Sequence, residues 1–192
     1  MKLPIIDIRH ERIIKEAVEL EPKTILNVGS GHCKPDAHLN HLGFKVYSTD
    51  YFGFDDNKKF IKEMESFKDI IDYYNSDIFD LSTFPIKSAD VVICSETLEH
   101  LVEYKKAFDN LMLLTNKRLI ITVPWKHSYN EPSPPPMGHA NWWDDTEVPG
   151  KYTDINEFRN FTNHKTKIVK ILTKERDIQM GQSDYLIIID KI

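Results

Sequence analysis

The sequence predicts an α/β fold of three layers, a doubly wound and mostly parallel sheet with helices on both faces. Three observations carry this. Residues 25–28, Ile25-Leu26-Asn27-Val28, run straight into the glycine turn Gly29-Ser30-Gly31, and apolar side chains on both faces suit a central parallel strand. Strand-like and helix-like stretches then alternate as far as Pro124, the pattern of crossover units in a parallel sheet. Finally, two apolar runs at 166–172 and 185–189 have no helical stretch between them, so they are expected to pair antiparallel.

Taken in order, residues 11–20 space Ile13, Ile14, Ala17 and Val18 along one helical face, and Glu21-Pro22 ends that helix. The strand at 24–28 follows. Residues 35–42 read as the helix fed by the glycine turn, with Gly43 as its cap. The second strand, 44–50, ends on Asp50. That carboxylate falls about twenty residues after the glycines, where a dinucleotide-type fold accepts ribose hydroxyl hydrogen bonds. Residues 58–74 are polar and periodic and predict a helix, and 75–81 a short third strand or turn. Residues 89–94 predict a strong fourth strand. The spacing at 96–114 predicts the best helix of the chain, with Glu96, Glu99 and His100 at i, i+3 and i+4 on one face. Residues 118–124 predict a fifth strand ended by Pro124. Asp154 and Glu157 have the spacing of a capping box for a helix at 155–161.

At 192 residues the chain suits one domain, 1–192. Residues 125–152 interrupt the pattern with five prolines and three tryptophans, and read as a substrate-side insert. The net charge of −5 argues against a general nucleic-acid surface. Lys165, Lys167, Lys170, Lys174 and Arg176 read as the solvated face of a strand and turn. The two cysteines, Cys33 and Cys94, lack a metal-ligand spacing; as free thiols they suit a reducing compartment. No run is long enough to cross a membrane and no leader is apparent, so a cytoplasmic location is expected.

Four blocks, ILNVGSGHC at 25–33, VYSTDY at 46–51, SDIFDLSTFPIKSADVVICSETLEHL at 76–101 and LIITVP at 119–124, together resemble the class I S-adenosylmethionine-dependent methyltransferases, in the group with a Leu-Glu-His step after the fourth strand. The resemblance implies the seven-stranded, Rossmann-like version of the fold, whose last strand inserts antiparallel. It implies S-adenosyl-L-methionine as cofactor, held by Asn27, Gly29, Ser30, Gly31, Asp50, Tyr51, Asp77, Ile78, Cys94 and Ser95. Among these, Asp77 would bond the adenine amino group, with Asp80 competing for that role, and Ile78 would pack on the ring. The chain departs from the pattern at Asn27, where an acidic residue is common, and at Cys33, where a third glycine is.

A methyltransferase aligns its acceptor with the donor methyl group and needs a base when the acceptor must lose a proton. Glu96, His100, His127 and His139 are the catalytic candidates, with Glu99 beside them. The reading adopted is an enzyme transferring a methyl group to an oxygen or nitrogen of a small-molecule acceptor, with no metal ligand assigned. Two alternatives stand beside it. The Glu-x-x-Glu-His step resembles ubiquinone-pathway O-methyltransferases and small-RNA 3′-terminal methyltransferases, implying a metal-assisted RNA enzyme completed by His139. The departures at Asn27 and Cys33 would suit a non-catalytic binding protein of the same fold.

Overall fold

The computed structural model describes residues 3–52, 68–125, 140–141, 143–144, 153–172 and 183–191. Strands β1 (Ile25–Val28), β2 (Val46–Asp50), β3 (Asp72–Asn75), β4 (Ala89–Ser95) and β5 (Thr115–Trp125) lie parallel in the order β3-β2-β1-β4-β5. On the far edge of β5, β9 (Ser183–Asp190) pairs antiparallel, and β8 (Lys165–Leu172) pairs antiparallel with β9. This is the doubly wound sheet with an antiparallel C-terminal pair that the sequence predicts. Two-residue strands β6 (Trp143–Asp144) and β7 (Thr153–Asp154) extend the sheet from Trp125.

The strand period of two divides the apolar residues between two cores. Leu26, Val28, Val92, Cys94, Leu119, Ile121 and Val123 face helix α3 (Tyr104–Leu114) through Ala107, Phe108 and Leu111. Ile25, Val91, Ile93 and Ile120 face α1 (Ile8–Val18) and α2 (Lys34–His41) through Ile13, Ala17 and Leu39. Each fully buried Leu, Ile or Phe contributes about 1.5–3 kcal/mol, so both faces hold the sheet. Helix α1 starts at Asp7, whose carboxylate accepts from the His10 amide at 3.0 Å. Its far end is tied by Arg118 Nη1, which donates to the Glu16 carbonyl at 3.1 Å and to Glu19 Oε2 at 2.5 Å.

Four expectations are corrected. The third strand is Asp72–Asn75, and 75–81 is a turn with a 3₁₀ segment after it, Leu81–Thr83. Half-exposed on one edge, β3 is polar enough to imitate a surface helix; residues 58–67 of that expected helix lie outside the described residues. The long helix at 96–114 is broken. Leu98–His100 is a 3₁₀ turn and Leu101 is extended before α3 begins. The insert takes the backbone groups a continuous helix would use: Asn141 Nδ2 donates to the carbonyls of Leu98 at 3.2 Å and Leu101 at 2.6 Å, and the Ala140 and Asn141 amides donate to the Glu99 carbonyl. Pro124 stays inside β5, because β4 stops at the level of Thr122 and leaves its missing N–H without consequence. No capping box forms at α4 (Glu157–Asn160). Asp154 accepts from the Asn156 amide, while Glu157 turns into the core.

Candidate active site

The carboxyl ends of β1, β2 and β4 meet around the glycine turn. The Gly29 and Ser30 amides both donate to the Thr49 carbonyl at 2.9 Å, which locks the turn to β2. The two glycines serve different ends. Gly29 has φ +72°, and a Cβ there would overlap the hydroxyl of Thr97. Its missing Cβ makes room for the loop after β4. Gly31, at φ +48°, directs its missing Cβ into open space. Asp50 then closes the turn: its Oδ2 accepts from the Gly31 amide at 2.9 Å and its Oδ1 from the Phe52 amide at 3.2 Å. Tyr51 beside it is 65 % exposed and packs edge-on to Phe52.

Other predicted cofactor contacts are distributed unevenly. Ser30 is buried and accepts from the Cys33 thiol at 3.4 Å. Cys33 takes φ +50°, so it adopts a conformation usual for glycine, and burial pushes its thiol pKa up. Asp77 Oδ1 accepts from the Phe79 amide at 2.9 Å, an Asx turn that holds the loop after β3. Asp80 is engaged separately, accepting from the Ser82 amide and hydroxyl. Ile78 is buried, and its carbonyl accepts from Asn110. Cys94 packs in the α3 core, and burial raises its thiol pKa. Ser95 Oγ lies 2.8 Å from Thr122 Oγ1.

The residues after β4 gather charge. Glu96 has φ +52°, a left-handed backbone uncommon outside glycine, asparagine and aspartate. Its amide donates to the Thr122 carbonyl and its Oε1 accepts from Thr122 Oγ1, both at 3.0 Å. Arg9, in the first turn of α1, reaches Glu96 Oε2 at 3.3 Å and Asp184 Oδ2 at 3.5 Å. Burial first, then the Asp184 charge, push the Glu96 pKa up to about 7, against the pull of Arg9 and Thr122. Glu99 is 1 % exposed; burial and the neighbouring Glu96 hold its carboxyl well above the usual range. His100 Nε2 lies 3.9 Å from Glu99 Oε1. Glu96 and Glu99 therefore meet through the strand end and a 3₁₀ turn, not along one helix. His127 and His139 lie outside the described residues. Among the described residues no group of three His, Cys, Asp or Glu side chains stands at metal-holding separation.

Several of these groups are invisible in the sequence pattern. Arg9, Asp184 and Thr122 reach the site only through the packing of α1, β9 and β5 against β4. Asp36 in α2 is wholly buried, accepting from Asn27 Nδ2 at 2.7 Å and from Ser48 Oγ at 2.6 Å. An aspartate inside a helix's first turn was the available signal, but it reads equally as a charge favoured by the helix dipole. Trp143, in the insert, is fully buried and donates to Glu157 Oε1 at 2.9 Å, with Tyr104 OH on the same carboxylate. It is a packing residue.

Residues 26–117 match the family model described as "Methyltransferase domain". A search of curated protein sequences finds no match. Solved structures similar to this chain include the methyltransferase domain of a bacterial Hen1, CtHen1 (13 % identity, 95 % of this chain and 97 % of that one, TM-score 0.64). Magnesium protoporphyrin IX methyltransferase from Synechocystis PCC 6803, with bound SAH, is 15 % identical over 95 % of this chain and 82 % of that one, at TM-score 0.66. The 1,6-didemethyltoxoflavin-N1-methyltransferase of Burkholderia thailandensis is 11 % identical over 95 % and 78 %, at TM-score 0.64. At such identities the likeness is one of fold. Joined to the family match over residues 26–117 and the strand order, it supports a methyltransferase domain of the class I, S-adenosylmethionine-dependent type.

Proposed function

We propose that this chain transfers a methyl group from S-adenosyl-L-methionine to an oxygen or nitrogen of a small-molecule acceptor, as one domain whose 125–152 insert lies on the acceptor side. The observation that carries it is the glycine turn closed by Asp50, with open space over Gly31, beside a Glu96 carboxylate poised near neutral pH. The residues fit the cofactor. Asp50 is half-exposed at a strand end, where a carboxylate accepts from a ribose diol; Gly31 leaves room; Ile78 and Tyr51 offer apolar surface to the adenine, with Asp77 nearby; and Asn27 Oδ1 is a buried acceptor without a partner among the described residues. Bound there, the cofactor supplies an activated methyl group on a sulfonium.

The chain's own part is to bind, orient and move a proton. Glu96 can take the acceptor's proton, because near neutral pH a useful fraction is ionised and the conjugate acid is accessible. Thr122 Oγ1 and Arg9 hold its two oxygens, and the αL backbone at Glu96 aims it away from the helix that sequence spacing suggests. A small acceptor is favoured over a nucleic-acid end because, among the described residues, Asp7, Asp184 and a partly ionised Glu96 outnumber the Arg9 guanidinium between them. That end of the site carries negative charge, and phosphates are repelled by it. The free thiols suit a reducing compartment, and we place the protein in the cytoplasm; among the described residues no helix is long and apolar enough to cross a membrane.

The test is transfer of labelled methyl from S-adenosylmethionine into a fractionated cell extract, with and without a chelator. Label in low-mass metabolites, indifferent to chelator, is expected. Label confined to RNA ends and abolished by chelator would replace this reading with a metal-assisted RNA enzyme, and binding without transfer to any fraction would leave a binding protein.

A further inference from the structure

We propose that Asp36 is the buried counter-charge for the cofactor's α-ammonium, a positioning residue that acts through Asn27; this rests on the cofactor reading above. Asp36 is wholly buried at the start of α2. Its hydrogen-bond donors are neutral: Asn27 Nδ2 on Oδ1 at 2.7 Å, Ser48 Oγ on Oδ2 at 2.6 Å, and the Cys33 thiol beside them. Among the described residues it makes no ion pair, and the His10 ring of α1 acts on it only as the smallest of the main influences. Burying a carboxylate without a contacting cation is costly, and burial accordingly lifts its pKa to about 6. A cation supplied by a ligand would relieve that cost.

Asn27 provides the path. Its NH₂ must face the Asp36 carboxylate, which only accepts, so its Oδ1 is turned the other way. That Oδ1 is buried and has no hydrogen-bond partner among the described residues, and an unmet acceptor inside a fold calls for a donor. It sits at the end of β1, one residue before Val28 and two before the glycine turn. A group reaching Oδ1 must donate, and the carboxylate behind the amide selects a donor with positive charge. Of the cofactor's functional groups, the α-ammonium is the one that is both. Asp36 thereby supplies, at one remove, the negative charge that Asn27 lacks.

Calorimetric titration with S-adenosylhomocysteine and with 5′-methylthioadenosine, which lacks the amino-acid tail, separates this role from a structural one. Asp36→Asn should weaken S-adenosylhomocysteine about tenfold or more while leaving methylthioadenosine within about twofold. Asn27→Ser, which keeps Asp36 but breaks the relay, should show the same selective loss and carries the test if Asp36→Asn does not fold. The exchange Asn27→Asp with Asp36→Asn should restore S-adenosylhomocysteine binding. Equal weakening of both ligands, no weakening of either, or failure of the exchange to restore binding would overturn the proposal. A wild-type chain that binds neither ligand would instead overturn the cofactor reading on which it rests.

Discussion

Gly29→Ala and Gly31→Ala should fail in different ways, although both replace a left-handed glycine in one turn. At Gly29, φ +72° imposes about 1–2 kcal/mol on a residue with a Cβ. The new methyl would also overlap Thr97 Oγ1 and crowd its Cγ2 at 2.8 Å, and overpacking of this kind costs about 1–3 kcal/mol. Together Gly29→Ala should destabilise the fold by about 2–5 kcal/mol. Thr97→Ala removes both offending atoms, so the double variant should recover the overpacking share and retain only the backbone cost. Gly31→Ala meets nothing within 4 Å; it should lose only about 1–2 kcal/mol of stability and should weaken S-adenosylhomocysteine binding instead, because its Cβ enters the space beside Asp50. Urea unfolding of the four variants, analysed as a double-mutant cycle, reads the stabilities, and calorimetry reads the ligand. Additive effects of Gly29→Ala and Thr97→Ala, or a Gly31→Ala protein that binds ligand normally, would refute the division of labour between the glycines.

Glu157→Ala should destabilise the chain by about 2–5 kcal/mol, since it leaves Trp143 Nε1 and Tyr104 OH without their acceptor inside the core; a loss below about 1 kcal/mol in denaturant titration would contradict this placement of the insert. Glu96 makes stability depend on pH with a defined sign. Its pKa rises from 4.5 in the unfolded chain to about 7 in the fold, so between those values the native state holds more protons, and stability falls as pH increases through that window. Glu96→Gln should flatten that fall and stabilise the protein above pH 7 by about 1–3 kcal/mol relative to wild type. A variant with the same pH slope as wild type would remove Glu96 as its source.

The sheet was readable because central parallel strands must be apolar on both faces. Ile25-Leu26, Val91-Val92-Ile93 and Leu119-Ile120-Ile121 send alternate residues to separate cores, and no surface element imitates that. The edge strand Asp72–Asn75 escaped notice for the converse reason: one exposed edge leaves it polar. The break after Glu96 was hidden because its cause lies in Asn141, distant in sequence, which takes the carbonyls of Leu98 and Leu101. Within the site, Asp50 and the glycines were legible since a turn and a strand end fix them locally. Arg9, Asp184 and Asp36 were not, since their roles depend on which helices and strands pack together. What the motif does not carry is the contact at Gly29, whose missing Cβ makes way for Thr97.

The central claim is that the turn closed by Asp50 holds the cofactor, and titration of S-adenosylhomocysteine into wild type and Asp50→Ala tests it most directly. Asp50 accepts two backbone amides in the resting turn and would accept the ribose hydroxyls as well, so wild type should bind one equivalent with a micromolar-range Kd. Asp50→Ala should lose at least about tenfold in affinity while still unfolding cooperatively. Absence of binding to wild type at high micromolar ligand, or an Asp50→Ala protein that binds as wild type does, would contradict the account.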